Sequence, residues 1–369
     1  MTSEPANQDS TQSPDRPGPV LVTGAFGLVG SQVIRALADA GFQVVATDLD
    51  LPANRKIAGG SKFPKVAVRW ADLTIRQQVD NLLQSVKPAV IIHLAAVIAP
   101  ACYSRRELAR KVNVDATAKP VESAAALPEP PRFVQASSIA VYGSRNPHNN
   151  PDPLTPDTPV NPTDLYGTHK AEAEELVRAS GLEWAILRLG GVLTAEEMLG
   201  INKEVLVFEA AIPADGRLQT VDVRDVAAAF VAATTTTATG EVFLIGGDET
   251  HRLRQGEIGA AIADASGLTG GIPQSLPGNP DSDDDWFATD WMDTTRSQEV
   301  LGFQHHSWPD LLAQIRSRTG VLRYLVRPAA PLVRLYLKSM SPYKDSGRTV
   351  ADPWTVIAER IGDPTPDKA

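Results

Sequence analysis

Along the chain, short continuous apolar runs alternate with longer stretches in which apolar residues recur every three or four positions. PVLVT (19–23) predicts a buried strand. SQVIRALADAGF (31–42) has helical periodicity and stops at Gly41. QVVATDLD (43–50), KVAVRWADL (65–73) and AVIIHLAA (89–96) predict the next three strands, with IRQQVDNLLQSV (75–86) as a helix between the last two. Residues 105–127 predict one long helix that Pro120 kinks or splits, because proline has no N–H and clashes with the preceding turn. RFVQASS (132–138) predicts a fifth strand. A Pro- and Asn-rich loop over 145–162 leads to a helix over 163–181 with an Asp or Thr cap, then to a sixth strand, EWAILRLGG (183–191). Beyond about Leu193 the pattern loosens. Residues 217–233 predict a strand entering a helix, 240–247 a strand, 293–303 and 307–318 short helices, and 268–293 a loop carrying the acidic run DSDDDW. No internal repeat is present.

Strands alternating with helices at this spacing specify an α/β fold, a Rossmann-type doubly wound parallel sheet with a small C-terminal substrate-binding lobe. The expected organisation is a disordered polar tail over 1–18, a dinucleotide-binding domain over 19–190, a smaller lobe over 191–320 interleaved with that core, and a basic amphipathic extension over 321–369.

Composition narrows the class. Hydrophobic residues make up 43% of 369 and charged residues 21%, ordinary values for a globular protein. A net charge of -9 argues against nucleic acid as a partner. No apolar run is long enough to span a membrane. Cys102 is the single cysteine, so no intramolecular disulfide can form, which fits a reducing cytoplasm.

The candidate chemistry starts at the first strand. Thr23-Gly24-Ala25-Phe26-Gly27-Leu28-Val29-Gly30 places three glycines between a strand and a helix. Glycines there allow a tight turn and close backbone approach to a pyrophosphate, and the helix N-terminus offers N–H groups to it. Asp48 ends the second strand, where a carboxylate can accept both ribose hydroxyls of an adenosine and would repel a 2′-phosphate. NAD is therefore expected over NADP, with Arg55 as the one feature that leaves NADP open. Tyr166 and Lys170 are spaced i, i+4 on a helix and share a face. An ammonium one turn away would favour the phenolate of a tyrosine otherwise too weak as a base. Ser138 ends the fifth strand, on the side of the sheet where ligands bind.

Taken together, VLVTGAFGLVGS, VVATDLD, ADLT, VIIHLAA, VNVDAT, QASSIAVYG, YGTHKAEAE, ILRLGGVL, VDVRDVAAA and DTTRSQEVLGF resemble the extended short-chain dehydrogenase/reductase family, also called the NAD-dependent epimerase/dehydratase family. The segments run in order from Val20 to about Phe303. The resemblance implies that Gly24, Gly27 and Gly30, with Phe26, Leu28 and Val29, hold the pyrophosphate. It implies Asp48 on the ribose, Asp72 and Leu73 beside adenine, Ala95 and Ala96 along the cofactor path, and Asn113 as the family's helix asparagine. Ser138, Tyr166 and Lys170 would be catalytic, with Tyr166 and Lys170 also touching cofactor, and the chain would form a homodimer through the helices around Asn113 and Lys170.

Departures from the family pattern narrow the reaction. Ile139 and Ala140 stand where dehydratases carry an acidic pair, which argues against a dehydratase. LGGVL replaces the usual segment after the strand arginine, and the stretch from Arg188 to Asp225 is short, so a smaller or more apolar substrate than a nucleotide sugar becomes a candidate. The expected activity is hydride transfer at a secondary alcohol or ketone carbon of a small molecule. Nucleotide-sugar epimerisation on tightly held NAD, 3-hydroxysteroid-type dehydrogenation and non-catalytic NAD-dependent regulation stand as alternatives.

His93 reads as a satisfied core histidine, His169 as facing solvent and Cys102 as half-buried; no histidine has metal-ligand spacing. From Ala313 to Lys344 there are seven basic residues and no acidic one, interleaved with Val, Leu, Tyr and Pro. Packing on the domain or a partner subunit is the first expectation for this stretch. Contact of 321–340 with the inner membrane surface is the second.

Overall fold

The computed structural model describes residues 18–60, 66–196 and 203–367. Apart from Gly18, the tail expected over 1–18 lies outside them. Among the described residues ten strands form: β1 (Val20–Thr23), β2 (Val44–Asp48), β3 (Ala67–Trp70), β4 (Val90–His93), β5 (Arg132–Ser138), β6 (Trp184–Leu189), β7 (Gly191–Leu193), β8 (Arg217–Asp222), β9 (Glu241–Ile245) and β10 (Arg252–Arg254). Seven make one parallel sheet in the order β3-β2-β1-β4-β5-β6-β9, the doubly wound arrangement. Thr23 pairs in register with Thr47 on one side and His93 on the other. The carboxyl ends of β1 and β4 thus meet where the strand order reverses, the place where a doubly wound sheet forms its ligand crevice.

The continuous apolar runs are explained by the two faces of this sheet. Val20, Val22, Ile92, Val134 and Leu187 pack on one side against Val33, Ile34 and Leu37 of the helix Leu28–Asp39 and Phe230 of the helix Val223–Ala233. Their neighbours Leu21, Ile91, Phe133 and Ile186 pack on the other side with Val79, Leu83, Val121 and Val177. Alternate residues point to opposite faces, and both faces are covered, so most positions are apolar.

A second, three-stranded sheet has the order β10-β8-β7, with β7 parallel and β10 antiparallel to β8. Helices Gln255–Ala265 and Trp308–Thr319 pack there, burying Ile258, Leu311 and Ile315. The sequence pattern left out the helices Lys203–Ala211, Gln255–Ala265, Ala330–Met340 and Pro353–Arg360.

The long helix expected over 105–127 is broken differently. Helix Arg106–Arg110 runs into a wide π turn, Lys111–Asp115, and then into Ala116–Ala125, which contains Pro120 without interruption. The irregularity sits upstream of the proline, where the wide turn takes up the local change in register. Asn113 lies in that turn.

Residues 341–367 fold back across the domain. The Tyr343 hydroxyl donates to the Ala211 carbonyl at 2.6 Å and accepts from the Asp352 backbone N–H at 2.9 Å. Ile357 is fully buried. The Leu165 N–H, at the start of the helix Leu165–Arg178, donates to the Pro364 carbonyl at 2.7 Å. Asp367 accepts from Arg106 at 2.8 Å and lies 3.0 Å from the His169 ring. His169 is consequently buried rather than solvent-facing, because the C-terminal segment covers it.

The same helix is clamped to β5 and β6 from below. Arg188 of β6 donates to Glu174 through Nε at 2.9 Å and Nη2 at 2.6 Å, and to the Tyr142 hydroxyl at 2.6 Å. Ser137 of β5 donates to the same carboxylate at 2.5 Å. Burial works against the Glu174 carboxylate, but Arg188 more than offsets it and holds the group below the usual carboxylate range. Both partners are almost wholly buried. Arg188→Met would strand that carboxylate and is expected to cost about 3–5 kcal/mol of stability. Urea unfolding of the variant checks this; a loss below about 1 kcal/mol would contradict the clamp.

Candidate active site

Two of the three glycines in the first turn are dictated by contact. Gly24 has φ +60°, and a Cβ there would stand 2.8 Å from the Ala95 nitrogen. A Cβ at Gly30 would stand 2.2 Å from the Gly24 carbonyl oxygen. Gly27 caps the helix Leu28–Asp39, whose first turn has neither a capping side chain nor an acidic residue. Its N-terminal N–H groups are thus presented to the crevice for an anion. Leu28 is exposed there, Val29 is half-buried, and Phe26 is buried against Trp70.

Asp48 lies beside this turn. Its carboxylate accepts from the Phe26 N–H at 3.1 Å, the Leu49 N–H at 2.8 Å and the Asn54 amide at 3.1 Å. Arg55 forms a forked ion pair with Asp50, one arm at 2.7 Å, so its charge is engaged away from Asp48. Asp72 accepts from the Thr74 N–H and hydroxyl at 2.9 and 2.7 Å and organises the turn after β3. Leu73 packs its side chain into the core.

The floor between β1 and β4 is a buried polar chain. Thr117 donates to the Asn113 carbonyl at 2.9 Å, so its oxygen accepts from His93 Nε2 at 3.1 Å. His93 Nδ1 then accepts from the Thr23 hydroxyl at 2.9 Å, and the Thr23 oxygen receives the Leu94 N–H at 3.1 Å. These roles assign His93 as neutral with the proton on Nε2. Burial, with the Lys170 charge second, agrees by lowering its pKa to about 3. Asn113 bonds the Val97 backbone in both directions, at 2.7 and 2.9 Å. It fixes the half-buried loop that carries Ala95 and Ala96.

Ser138, Tyr166 and Lys170 are brought together at the end of β5. Asp164 caps the helix, accepting from the Tyr166 and Gly167 N–H groups at 3.1 Å each and from the Tyr103 hydroxyl at 2.6 Å. That cap sets the position of Tyr166. Lys170 is almost wholly buried, donates to the Ala136 carbonyl at 2.9 Å, and has Nζ 5.9 Å from the centre of the Tyr166 ring. Burial lowers the Lys170 pKa to about 8, with Glu174 opposing the shift. Burial also pushes the Tyr166 phenol up, the Cys102 thiol adds to that, and a hydrogen bond from Ser138 works the other way.

The Lys170 Nζ is directed at a β5 carbonyl, and burial dominates at the Tyr166 phenol. Cys102 is fully buried, not half-buried, and its thiol is pushed up by the same apolar surroundings.

Sequence reasoning missed Glu174 and the Tyr103–Asp164 pair. The i, i+4, i+8 spacing of Tyr166, Lys170 and Glu174 was a usable signal, since it puts all three on one helix face.

The family model described as "NAD dependent epimerase/dehydratase family" matches residues 20–246. D-erythronate dehydrogenase of Cupriavidus necator is 33% identical over 187 residues, covering 46% of this chain and 54% of the relative. UDP-glucose 4-epimerase of Azospirillum brasilense is 30% identical over 190 residues, 48% and 50% of the two chains. The chain thus matches about half the length of these curated relatives. Among solved structures, Thermus thermophilus UDP-glucose 4-epimerase in complex with NAD superposes with a TM-score of 0.65 at 20% identity, covering 82% of this chain and 98% of that one.

Two outcomes follow from the site. In Gly30→Ala the added methyl must displace the turn, and NAD affinity measured by calorimetry is expected to fall by at least about tenfold; unchanged affinity would contradict the cradle. Lys170→Met removes a buried charge. Because folding lowers the lysine pKa from 10.5 to about 8, the penalty is full below pH 8 and is relieved as pH rises towards 10.5. The variant should be more stable than wild type at pH 7, and the gap should narrow across that window in thermal melts. A gap that widens with pH would contradict the assignment.

Proposed function

Because the chain belongs to the NAD dependent epimerase/dehydratase family, we propose that it is an NAD-dependent oxidoreductase moving a hydride at a secondary alcohol or ketone carbon. The observation that carries this reading is the convergence of Ser138, Tyr166 and Lys170 beside the crevice.

NAD is the family's cofactor, and the residues present fit it. The glycine turn leaves no room for side chains, and the uncapped helix N-terminus suits a pyrophosphate. Asp48 suits an adenosine ribose, and Arg55 is engaged by Asp50, which favours NAD over NADP. Asp72 and Leu73 would bound the adenine side, and Ala95 and Ala96 the path towards the crevice.

When bound, NAD supplies the group that accepts or returns a hydride. The Tyr166 phenol, kept neutral by burial, donates a proton to a developing alkoxide or takes it back in the reverse direction. Ser138 hydrogen-bonds the substrate oxygen. Lys170 would hold the nicotinamide-side ribose and stabilise charge developing on Tyr166. Ile139 and Ala140 are buried and carry no acid, which supports the exclusion of water elimination from the reaction. Tyr166, like Val97, Ala99, Phe287 and Trp354, packs against an apolar cluster that includes Cys102, Tyr103, Leu165 and Phe208, a setting that favours a compact or apolar substrate over a nucleotide sugar.

The second reading is an epimerase that keeps NAD bound, favoured by the 30% identity to UDP-glucose 4-epimerase. Retention of NAD through purification, read by mass and absorbance, would support it; free exchange would support a dehydrogenase.

A homodimer is part of the proposal. A groove of about 1160 Å³ lined by Val114, Ala118, Val121, Ala171 and Leu176 is the surface a partner would cover, and none of the three catalytic candidates lines it.

Tyr166→Phe is expected to lower turnover by about 10²–10⁴-fold while NAD binding persists. Stopped-flow measurement on an alcohol or ketone that wild type turns over checks this. Unchanged turnover would remove the mechanism.

A further inference from the structure

The segment 321–340 forms two short helices, Leu322–Val326 and Ala330–Met340, with an unusual outer surface. Fifteen large apolar side chains are exposed among the described residues, and seven of them lie between Val321 and Tyr336. Leu325 is 74% exposed, Leu332 70% and Leu335 66%, far above core values. On the second helix Leu332, Leu335 and Tyr336 fall at i, i+3, i+4 and form one outward stripe, while Ala330 is buried and Val333, Leu337 and Met340 are half-buried. Both faces of this helix are therefore apolar, and only one is covered.

Charge decides what suits the other. The whole chain carries -9, yet Arg316, Arg318, Arg323, Arg327, Arg334, Lys338 and Lys344 sit in a stretch with no acidic residue. Arg327, Arg334 and Lys338 are exposed beside the apolar stripe. Lys338 and Lys344 line a cleft of about 430 Å³ with Ser339 and Tyr343. A second copy on this face would bring these cations together without counter-charges. No helix among the described residues is long and apolar enough to cross a membrane.

We propose that residues 321–340 dock the protein on the surface of an anionic lipid bilayer. The helices lie in the interface plane. Leu325, Leu332, Leu335 and Tyr336 enter the acyl boundary, and the flanking arginines and lysines meet lipid phosphates. The fold-back of residues 341–367 onto the catalytic helix fixes the far end of this segment to the domain, so docking holds the enzyme body close to the bilayer.

Deletion would remove that fold-back, so the test uses point variants of the full chain. Wild type and Leu325→Ser/Leu332→Ser/Leu335→Ser are sedimented with phosphatidylcholine vesicles containing about 30 mol% phosphatidylserine, and with phosphatidylcholine alone. Wild type is expected to bind the anionic vesicles at least about tenfold more tightly than neutral ones, with binding weakened by salt added beforehand. The triple variant is expected to lose that binding by about tenfold or more, with an unchanged thermal melt and NAD affinity. Arg327→Gln/Lys338→Gln should lose the anionic preference. Equal binding of wild type to both vesicles, absence of binding, or retained binding by the triple variant overturns the proposal. So does a dimer, seen by analytical ultracentrifugation, that the triple variant dissolves while wild type ignores vesicles.

Discussion

A lysine side chain held almost out of water sets the terms for the rest of this molecule. Lys170 is inside the protein, and burial works against its charge. Two features oppose that: the Ala136 carbonyl 2.9 Å from Nζ, and Glu174 one turn further along the helix. Glu174 is itself buried and tolerable only because Arg188 grips it with two nitrogens and Ser137 adds a hydrogen bond. Each ion is acceptable because of the next, and the order runs from the sheet outward to the helix. Such a chain contributes little net stability, but removing Arg188 would leave the Glu174 carboxylate buried without its partner. Its product is position, because it fixes the helix that carries Tyr166 and Lys170 against the strand that ends in Ser138.

The opposite wall of the crevice is fixed by different means. There the backbone itself must come close, so Gly24 and Gly30 admit no Cβ. Behind them Thr23, His93, Thr117 and Asn113 pass hydrogen bonds from β1 through β4 to the wide turn at 111–115. Every polar atom of the His93 ring has a partner, which makes it a structural strut despite lying near Lys170. The Asn113 side chain completes the strut by clasping the Val97 backbone on both sides. One wall is set by charge and the other by close packing and neutral hydrogen bonds.

Much of this was legible in residue order, for reasons that are local. A strand buried on both faces is a run of apolar residues, and β1, β4, β5 and β6 are read directly from Val20, Val90, Arg132 and Trp184 onward. The glycine turn and the i, i+4 relation of Tyr166 to Lys170 are also short-range patterns. What escaped depends on long separations. Glu174 and Arg188 look like ordinary helix and strand residues until the sheet brings them into contact. His169 looks exposed because Asp367, nearly two hundred positions away, is what covers it. Pro120 suggested a break that falls instead at Lys111–Asp115, since a wide turn can shift the irregularity upstream. Helix Gln255–Ala265 contains two glycines and Pro353–Arg360 begins with proline, so tertiary contacts decide them more than periodicity does.

The claim underneath all of this is that Lys170 keeps a charge in a place that disfavours one. Following its Nζ by heteronuclear NMR in protein carrying labelled lysine measures that directly. The account predicts titration near pH 8, the value to which burial lowers it, with movement further down when Glu174 is replaced by Gln. A midpoint at the ordinary 10.5, insensitive to Glu174, would mean that the ammonium is solvated and that the clamp around it does not set the site.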